Sequence, residues 1–503
     1  MDGATETYDH VVVGAGSAGC AAAFRLAEHG DRVCVVEAGP SERHPLVSMP
    51  FGLVWLIGSR RDWRRRSAPQ KALDGRTVAV PRGRMVGGSG SLNSMVWFRG
   101  RTADWDGWNR PGWAWSDMEG AFEAIERHVG PGRLPHPHPM AEAFGRLAGA
   151  NDPSEPPTPE RESAGVFHVN MRNGRRRSAA DAFLRPAMAK GNVRLLTGAE
   201  VERIVIEHDR AAGVALRDGR RLAARAGVML SAGAIESPMI LMRSGLGPAA
   251  ELRRHGIEAV ADLAGVGANL HDHPGVGLHF AGGPGYGLTL AQAPGWIAAP
   301  FLWSALGKGR LASSTVEAGA FWRLSPGGGP PEVQTHFIPF LLDPKGRRTA
   351  TGTGFFADIC LCRPASRGRL TMADRDTPHI DLGLLSDPAD LDLMVKGVER
   401  LRGELTRLHA PGAREVVPGP DISGEALRAD IHARCGTAYH PVGTVALGGP
   451  LDDEGRVRGV DRLRVADASA MPRITSANTN APSMAIGWRI GGLAARAARE
   501  GRP

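Results

Sequence analysis

Residues 14–19 constrain this chain more than any other stretch. Gly14-Ala15-Gly16-Ser17-Ala18-Gly19 is a GxGxxG turn, with an apolar run over 9–13 before it and an Ala-rich segment over 17–29 after it. A second apolar run covers 32–37. By periodicity and length these read as strand, helix and strand, a βαβ unit. Each glycine has its own task. Gly14 permits the tight turn, Gly16 lets the backbone approach a pyrophosphate, and Gly19 lets the helix pack on the strand. The helix N-terminus at Ser17 and Ala18 offers unpaired N–H groups to phosphate. Glu37, followed by Ala38, closes the second strand, where a carboxylate suits ribose hydroxyls and repels a 2′-phosphate. The pattern predicts a dinucleotide site without separating FAD from NAD.

The chain has 503 residues, 42% hydrophobic and 23% charged, enough for two or three domains with a substantial core. Its formal net charge of +8 raises nucleic-acid binding as a class. The distribution argues against it. The cations are scattered, nearly all are arginine, and the densest run, Arg60-Arg61-Asp62-Trp63-Arg64-Arg65-Arg66, is short. That run reads as a solvated loop, a clamp on an anionic ligand or a docking patch. Cys20, Cys34, Cys360, Cys362 and Cys435 show no framework spacing, which points to a reducing compartment. No basic–apolar–small leader opens the chain. A cytoplasmic location is expected, with a peripheral place at the inner membrane left open. The longest apolar stretch, 296–306 with Pro300 inside it, is too short to span a bilayer. It reads as a buried helix of a substrate domain rather than a helix on a membrane surface.

An aromatic-led turn and helix is expected over 107–128, and a Pro-, His- and Ser-rich connection over 129–165. Short strands follow at 193–196, 201–206 and 213–216, then a buried strand at 228–231 running into Ala232. Residues 275–430 mix strands, such as 333–339, with Gly-Pro connections. A strand at 463–466 and a helix over 481–499 close the chain.

Three further segments carry a family resemblance. Gly83-Arg84-Met85-Val86-Gly87-Gly88-Ser89-Gly90-Ser91-Leu92-Asn93, running on to Arg99-Gly100, resembles the first motif of the glucose-methanol-choline oxidoreductases. Gly233-Ala234-Ile235-Glu236-Ser237-Pro238, ending Ser244-Gly245-Leu246-Gly247, resembles the second. Tyr439-His440-Pro441-Val442-Gly443-Thr444, Val465-Ala466-Asp467-Ala468-Ser469 and Ser476-Ala477-Asn478-Thr479-Asn480-Ala481-Pro482 are similar to the C-terminal catalytic region. The pattern is nearest to bacterial choline and alcohol dehydrogenases and to aryl-alcohol or hydroxymethylfurfural-type oxidases.

The resemblance implies an α/β fold. A discontinuous, Rossmann-like FAD-binding domain would comprise 1–145, 188–272 and 436–503. A second, α+β substrate-binding domain with an antiparallel sheet would comprise 146–187 and 273–435. It also implies FAD as cofactor, with Val86, Gly90, Asn93, Ser94, Met95 and Val96 along the flavin. Val201 falls at the adenine end and Asp467 at the ribityl or pyrophosphate region. Ala232, Tyr439, Ala468 and Thr479 complete the expected cofactor set. Some members join the flavin covalently to a histidine where this chain has Leu92, so non-covalent binding is expected.

Alcohol oxidation needs a base for the hydroxyl proton and an acceptor for hydride. A histidine titrating near neutrality suits the first, and flavin N5 the second. By the resemblance His440 is the base and Asn478, an amide that donates without competing as a base, orients the substrate. No metal is expected: His136 and His138 lack a ligand set at the right spacing. His271-Asp272-His273-Pro274 reads as a connection leaving the flavin domain, and Cys360 and Cys362 as core thiols. Trp296, Phe301, Trp303 and Phe337 are expected to line an apolar access route, which favours a neutral, apolar or aromatic primary alcohol. The positive charge also admits a carboxylate-bearing one. Reduced flavin would pass its electrons to oxygen or to a quinone or other carrier. A hydroxynitrile-lyase-like or photodecarboxylase activity on the same scaffold, or a non-catalytic electron-transfer role, are the competing readings.

Overall fold

The computed structural model describes residues 6–147, 155–341 and 352–501. Its first sheet has seven strands. Val193–Thr197, Val33–Glu37, Glu6–Val13 and Arg221–Leu230 run parallel in that spatial order. The last of these is long and changes neighbours along its length. Its start pairs antiparallel with the hairpin strand Arg210–Leu216, and its end pairs parallel with Leu463–Val465. The βαβ unit read from the sequence is present as Glu6–Val13, the helix Ser17–Glu28 and Val33–Glu37. Val11, Val12 and Val33–Val36 are fully buried, as the near-continuous apolar runs of parallel strands require.

Register aligns the carboxyl ends. Val13 sits beside Val36 and Leu230, and Leu230 beside Val465. The residues that follow, Gly14, Glu37, Ser231 and Ala466, therefore share one edge of the sheet, where open α/β sheets bind ligands.

The helix Asn480–Arg499 crosses Ser17–Glu28 at close range. A Cβ on Gly487 would lie 2.2 Å from the Ala18 carbonyl oxygen, and one on Gly491 2.8 Å from Ala22 Cα. Small residues on both helices permit that approach, which brings the two N-termini side by side.

The second sheet is antiparallel, in the order Arg414–Val417, Pro274–Ala281, Gly352–Leu361, Val333–Ile338, Ala318–Trp322 and Ser163–Val166. Gly436–Thr437 pairs with Pro274–Gly275, so the chain touches this sheet just before the His440 segment.

Two expectations change. The 129–165 connection contains a helix, Pro139–Gly145, capped by His138, and its last residues enter the second sheet; residues 148–154 lie outside the described set. The apolar 296–306 stretch forms the helix Ala293–Leu306, but it is not buried: only Ala299 and Trp303 are fully covered. An all-apolar helix carries no periodic signal of which side faces inward. Among the described residues, no helix is long and apolar enough to cross a membrane.

Candidate active site

A cavity of about 1130 Å³ runs from the glycine turn to His440 and on between the two sheets. That exceeds the usual small-molecule pocket and leaves room for a dinucleotide together with a substrate. Gly14, Gly16, Ser17, Ala18, Glu37, Ala38, Val201, Ala232, Asp467, Ala468 and Thr479 line the nucleotide end. Gly14 has φ +97°, and a Cβ there would meet the Ser231 carbonyl oxygen at 2.5 Å. Three helices start on this wall, at Ser17, Gly233 and Asn480. Their unpaired N–H groups and dipoles favour a bound anion. Asn480 adds an amide nitrogen with no hydrogen-bond partner among the described residues, while its Oδ1 accepts from Ser17 Oγ at 2.6 Å. The donor set fits a pyrophosphate.

Glu37 is buried at the strand end. Its Oε2 accepts from the Ala15 N–H at 3.0 Å and its Oε1 from the Gly39 N–H at 2.8 Å. Burial raises its pKa against those two hydrogen bonds. Each oxygen keeps a lone pair for a ribose hydroxyl. Asp467 is saturated: Oδ2 accepts from Gly233 N–H and Ser237 Oγ, and Oδ1 from Ser469 N–H and Oγ. It ties the start of one helix to the Ala468–Ala470 turn.

Asn93, Ser94, Met95 and Val96 line the middle of the cavity. Met95 holds φ +63°, a left-handed conformation that costs a non-glycine residue energy and recurs at functional sites. The Asn93 side chain fixes this bend by accepting from the Met95 N–H at 3.0 Å.

At the far end His440 and Asn478 are neighbours, with Asn478 Nδ2 3.2 Å from His440 Nε2. His440 Nδ1 faces His273 Nδ1 at 3.0 Å. The Nε2 of His273 lies 3.1 Å from two carbonyl oxygens, those of Cys362 and Thr475. Carbonyls only accept, so His273 Nε2 carries a proton and, in the neutral ring, its Nδ1 accepts. His440 must then donate from Nδ1, which leaves its Nε2 lone pair facing the cavity. Gln334 Nε2 donates to Asn478 Oδ1 at 3.0 Å, turning the amide so that Nδ2 points at His440. Asp272 accepts from the His440 N–H at 2.9 Å and from the Thr437 hydroxyl. Burial, then the neighbouring His273, His336 and Arg82, hold the His440 pKa well below its ordinary value. Burial pushes that of His273 down to about 3.

Sequence models of the GMC oxidoreductase family match residues 8–275 for its N-terminal part and 364–487 for its C-terminal part. The chain belongs to the GMC oxidoreductase family. It is 35% identical to the "Alcohol dehydrogenase (acceptor)" of Pseudomonas putida, over 95% of this chain and 94% of that relative. It is equally 35% identical to the "Oxygen-dependent choline dehydrogenase" of Rhizobium etli, over 95% and 94%. Among solved structures, pyridoxine 4-oxidase from Mesorbium loti matches with a TM-score of 0.83 at 27% identity, covering 96% of this chain and 98% of that one. Formate oxidase matches with a TM-score of 0.88 at 25% identity, covering 99% of each. The protein is an FAD-dependent alcohol oxidoreductase.

In this GMC oxidoreductase the expected site residues fall into two groups. His440, Asn478, Tyr439 and most of the cofactor set share the one cavity. Gly19, Val86 and Gly90 lie behind its wall. A Cβ on Gly19 would sit 2.0 Å from the Gly14 carbonyl oxygen, and one on Gly90 2.5 Å from Ser17 Oγ. Val86 is buried in the main core. None of these three lines the cavity itself.

The expected access route is corrected. None of Trp296, Phe301, Trp303 and Phe337 lines the cavity; its aromatic lining is Phe51, Trp63, Phe340, Phe356 and Tyr439. Phe337 sits in the core and Phe301 at the surface. The Arg60–Arg66 run is a folded loop: Trp63 lines the cavity with the Arg65 and Arg84 guanidinium groups stacked at 5.0 and 4.9 Å. Arg65 pairs with Glu236 at 2.6 Å.

Sequence reasoning missed four residues. His273 and Asp272, read as a connection, frame the His440 imidazole. Gln334 gives no motif signal at all. Arg176 is buried and donates to the Gly90 carbonyl at 3.2 Å and to Asn93 Oδ1 at 2.8 Å, clamping the bend beside the cavity. It sits in an arginine run that looks like any solvated one.

Proposed function

We propose that this enzyme oxidises the CH–OH group of an alcohol to an aldehyde or ketone, with His440 as the base. The observation that carries the reading is the unprotonated Nε2 of His440, lining the cavity with the Asn478 amide 3.2 Å away. Bound FAD supplies the hydride acceptor, its N5. His440 Nε2 takes the hydroxyl proton. Asn478 Nδ2 donates to the developing alkoxide and holds it in line. The Ser17, Gly233 and Asn480 helix starts would hold the pyrophosphate, Glu37 the ribose, and Asn93 to Val96 one side of the ring. Leu92 offers no nucleophile, so FAD is held without a covalent bond.

The substrate half favours a neutral, apolar or aromatic primary alcohol. Val54, Ile57, Val316, Ile338 and Phe340 give it an apolar wall. Its carboxylate, Asp358, is already paired with His336 Nδ1 at 2.8 Å, and Arg82 and Arg434 share the lining. A quaternary ammonium would find no free anion among the described residues there. The electrons pass on to oxygen or to a quinone or other carrier. We assign the first sheet and its helices to cofactor binding and the second sheet to substrate binding, with boundaries as read from the sequence. The five cysteines, all unpaired and buried, support a cytoplasmic enzyme.

Anaerobic mixing of holoenzyme with a panel of alcohols tests this. A productive alcohol bleaches the flavin, and His440→Ala slows that bleaching by about 100- to 10,000-fold with FAD still bound. Bleaching by the variant at the parent rate would remove the base assignment. Adding oxygen or a quinone to the reduced enzyme then reads the acceptor. Denaturation and filtration should release the flavin free.

A further inference from the structure

We propose that the outer face of the Ala293–Leu306 helix seats this enzyme on an anionic membrane surface. The helix has no charged residue. Its inner side sets Trp296, Ala299 and Trp303 against Phe51, Leu311 and Phe340. Its outer side carries Pro294, Ile297, Ala298, Phe301 and Ala305, a stripe at i, i+3, i+4, i+7 spacing that faces solvent. Ile297 is 80% exposed and Phe301 68%. A surface helix of a globular protein normally puts polar side chains on that face. Leu290, just ahead of the helix, is 95% exposed. Trp55, stacked edge-on against Phe51, extends the patch. A contiguous apolar surface of this kind marks an interaction site.

Charge identifies what covers it. The patch is built where segments 43–61, 163–180 and 274–316 meet. Arg176 Nε donates to the Val47 carbonyl at 3.0 Å, and the Arg175 guanidinium lies 4.5 Å from the Trp303 ring. None of the three segments contains an aspartate or glutamate. Arg172, Arg175 and Lys308 stand exposed by the C-terminal end of the helix. Apolar side chains flanked at one end by cations suit the headgroup region of an anionic bilayer. A second copy of this chain, docked by two-fold symmetry, would set the same cations against each other. Phe51, Val54 and Phe340, which the inner face packs on, line the apolar end of the cavity. A lipid-soluble alcohol or electron acceptor would therefore enter from the bilayer side.

The test is sedimentation of holoenzyme with vesicles of phosphatidylcholine, alone and mixed with phosphatidylglycerol. Binding to the mixed vesicles is expected, weakened by salt. Ile297→Ser/Phe301→Ser should lower the partition coefficient by about tenfold or more, and Lys308→Glu should lower it at low salt. Flavin content and anaerobic flavin reduction in solution should match the parent in the double variant, because neither residue lines the cavity. Absence of binding to the mixed vesicles, or equal binding by parent and double variant, would overturn the proposal. So would a dimer of the parent that the double variant abolishes, since the face would then belong to a second copy.

Discussion

His273 and His440 meet Nδ1 to Nδ1 at 3.0 Å, and the two carbonyl oxygens behind His273 decide which ring carries the proton between them. His440 is thereby held as the tautomer whose Nε2 carries no proton. His273 acts through His440, so it is a positioning residue. Its replacement should lower the rate of flavin reduction by about 100-fold with little change in substrate affinity. His273→Leu also takes a donor from the buried Cys362 carbonyl, at about 1–3 kcal/mol, while the Thr475 carbonyl keeps the Ala477 N–H at 2.8 Å. His273→Gln, which keeps a donor, serves as the companion variant. Stopped-flow reduction across substrate concentrations separates the two effects. Parent-like rates in a folded variant would show that the tautomer is fixed elsewhere.

The acid limb of the pH profile should lie below the ordinary histidine range. The base works only when neutral, and burial together with the neighbouring imidazoles and Arg82 makes protonated His440 unfavourable. The rate constant for flavin reduction should be flat down through pH 6.5 and fall only in more acid solution. His336 is one source of the effect. Burial alone would lower its pKa, but the Asp358 carboxylate outweighs burial and holds it above its usual value. His336→Gln removes an imidazole whose protonated form opposes charge on His440, and should move the acid limb up. An unmoved limb would mean the two imidazoles do not couple.

Gln334 holds the Asn478 amide in one of its two orientations. In Gln334→Leu the amide is free to turn its oxygen toward His440 Nε2, where two acceptors would oppose each other. A fall of about tenfold in kcat is expected, with flavin binding unchanged. Gln334→Glu, which can still engage the amide only as an acceptor, should favour the flipped form and do worse. Equal kcat in both variants and the parent would place no role on this contact.

Two glycines of the turn should separate folding from cofactor binding. A Cβ on Gly19 collides with the Gly14 carbonyl oxygen at 2.0 Å, whereas on Gly16 the nearest atom is the Ser231 carbonyl oxygen at 3.9 Å. Gly19→Ala should destabilise the apoprotein by about 1–3 kcal/mol. Gly16→Ala should leave the apoprotein melting like the parent while losing FAD, because the methyl occupies space the pyrophosphate needs. Thermal unfolding of apoprotein beside flavin content after purification distinguishes them. Parallel effects in both would mean that the two glycines serve the same purpose.

The nucleotide half was legible because its signals are local. A glycine with φ +97° at residue 14, a helix start at Ser17 and a carboxylate ending a strand at Glu37 lie within one βαβ unit, and each has a residue type that few alternatives can replace. His440 and Asn478 were found by their motifs, and the structure brings them within hydrogen-bond reach. The frame around them left no such trace. His273 and Gln334 are single residues on strands or strand edges whose neighbours look like ordinary core. The pairing of Pro274–Gly275 with Gly436–Thr437 and of His271 with Val442 puts His273 beside His440.

The apolar helix was misread for a related reason. Periodicity assigns an inside only when one face is polar, and this helix has apolar residues on every side.

The sequence alone therefore settled the βαβ unit and the dinucleotide turn, since backbone sterics and residue chemistry act over a few neighbouring positions. Tertiary structure decided which nitrogen of His440 is unprotonated, which way the Asn478 amide points, and which helix face meets solvent. Those depend on hydrogen bonds and contacts between segments more than a hundred residues apart, as with His273 and His440. Proximity of that kind is created by folding and is written in no local pattern.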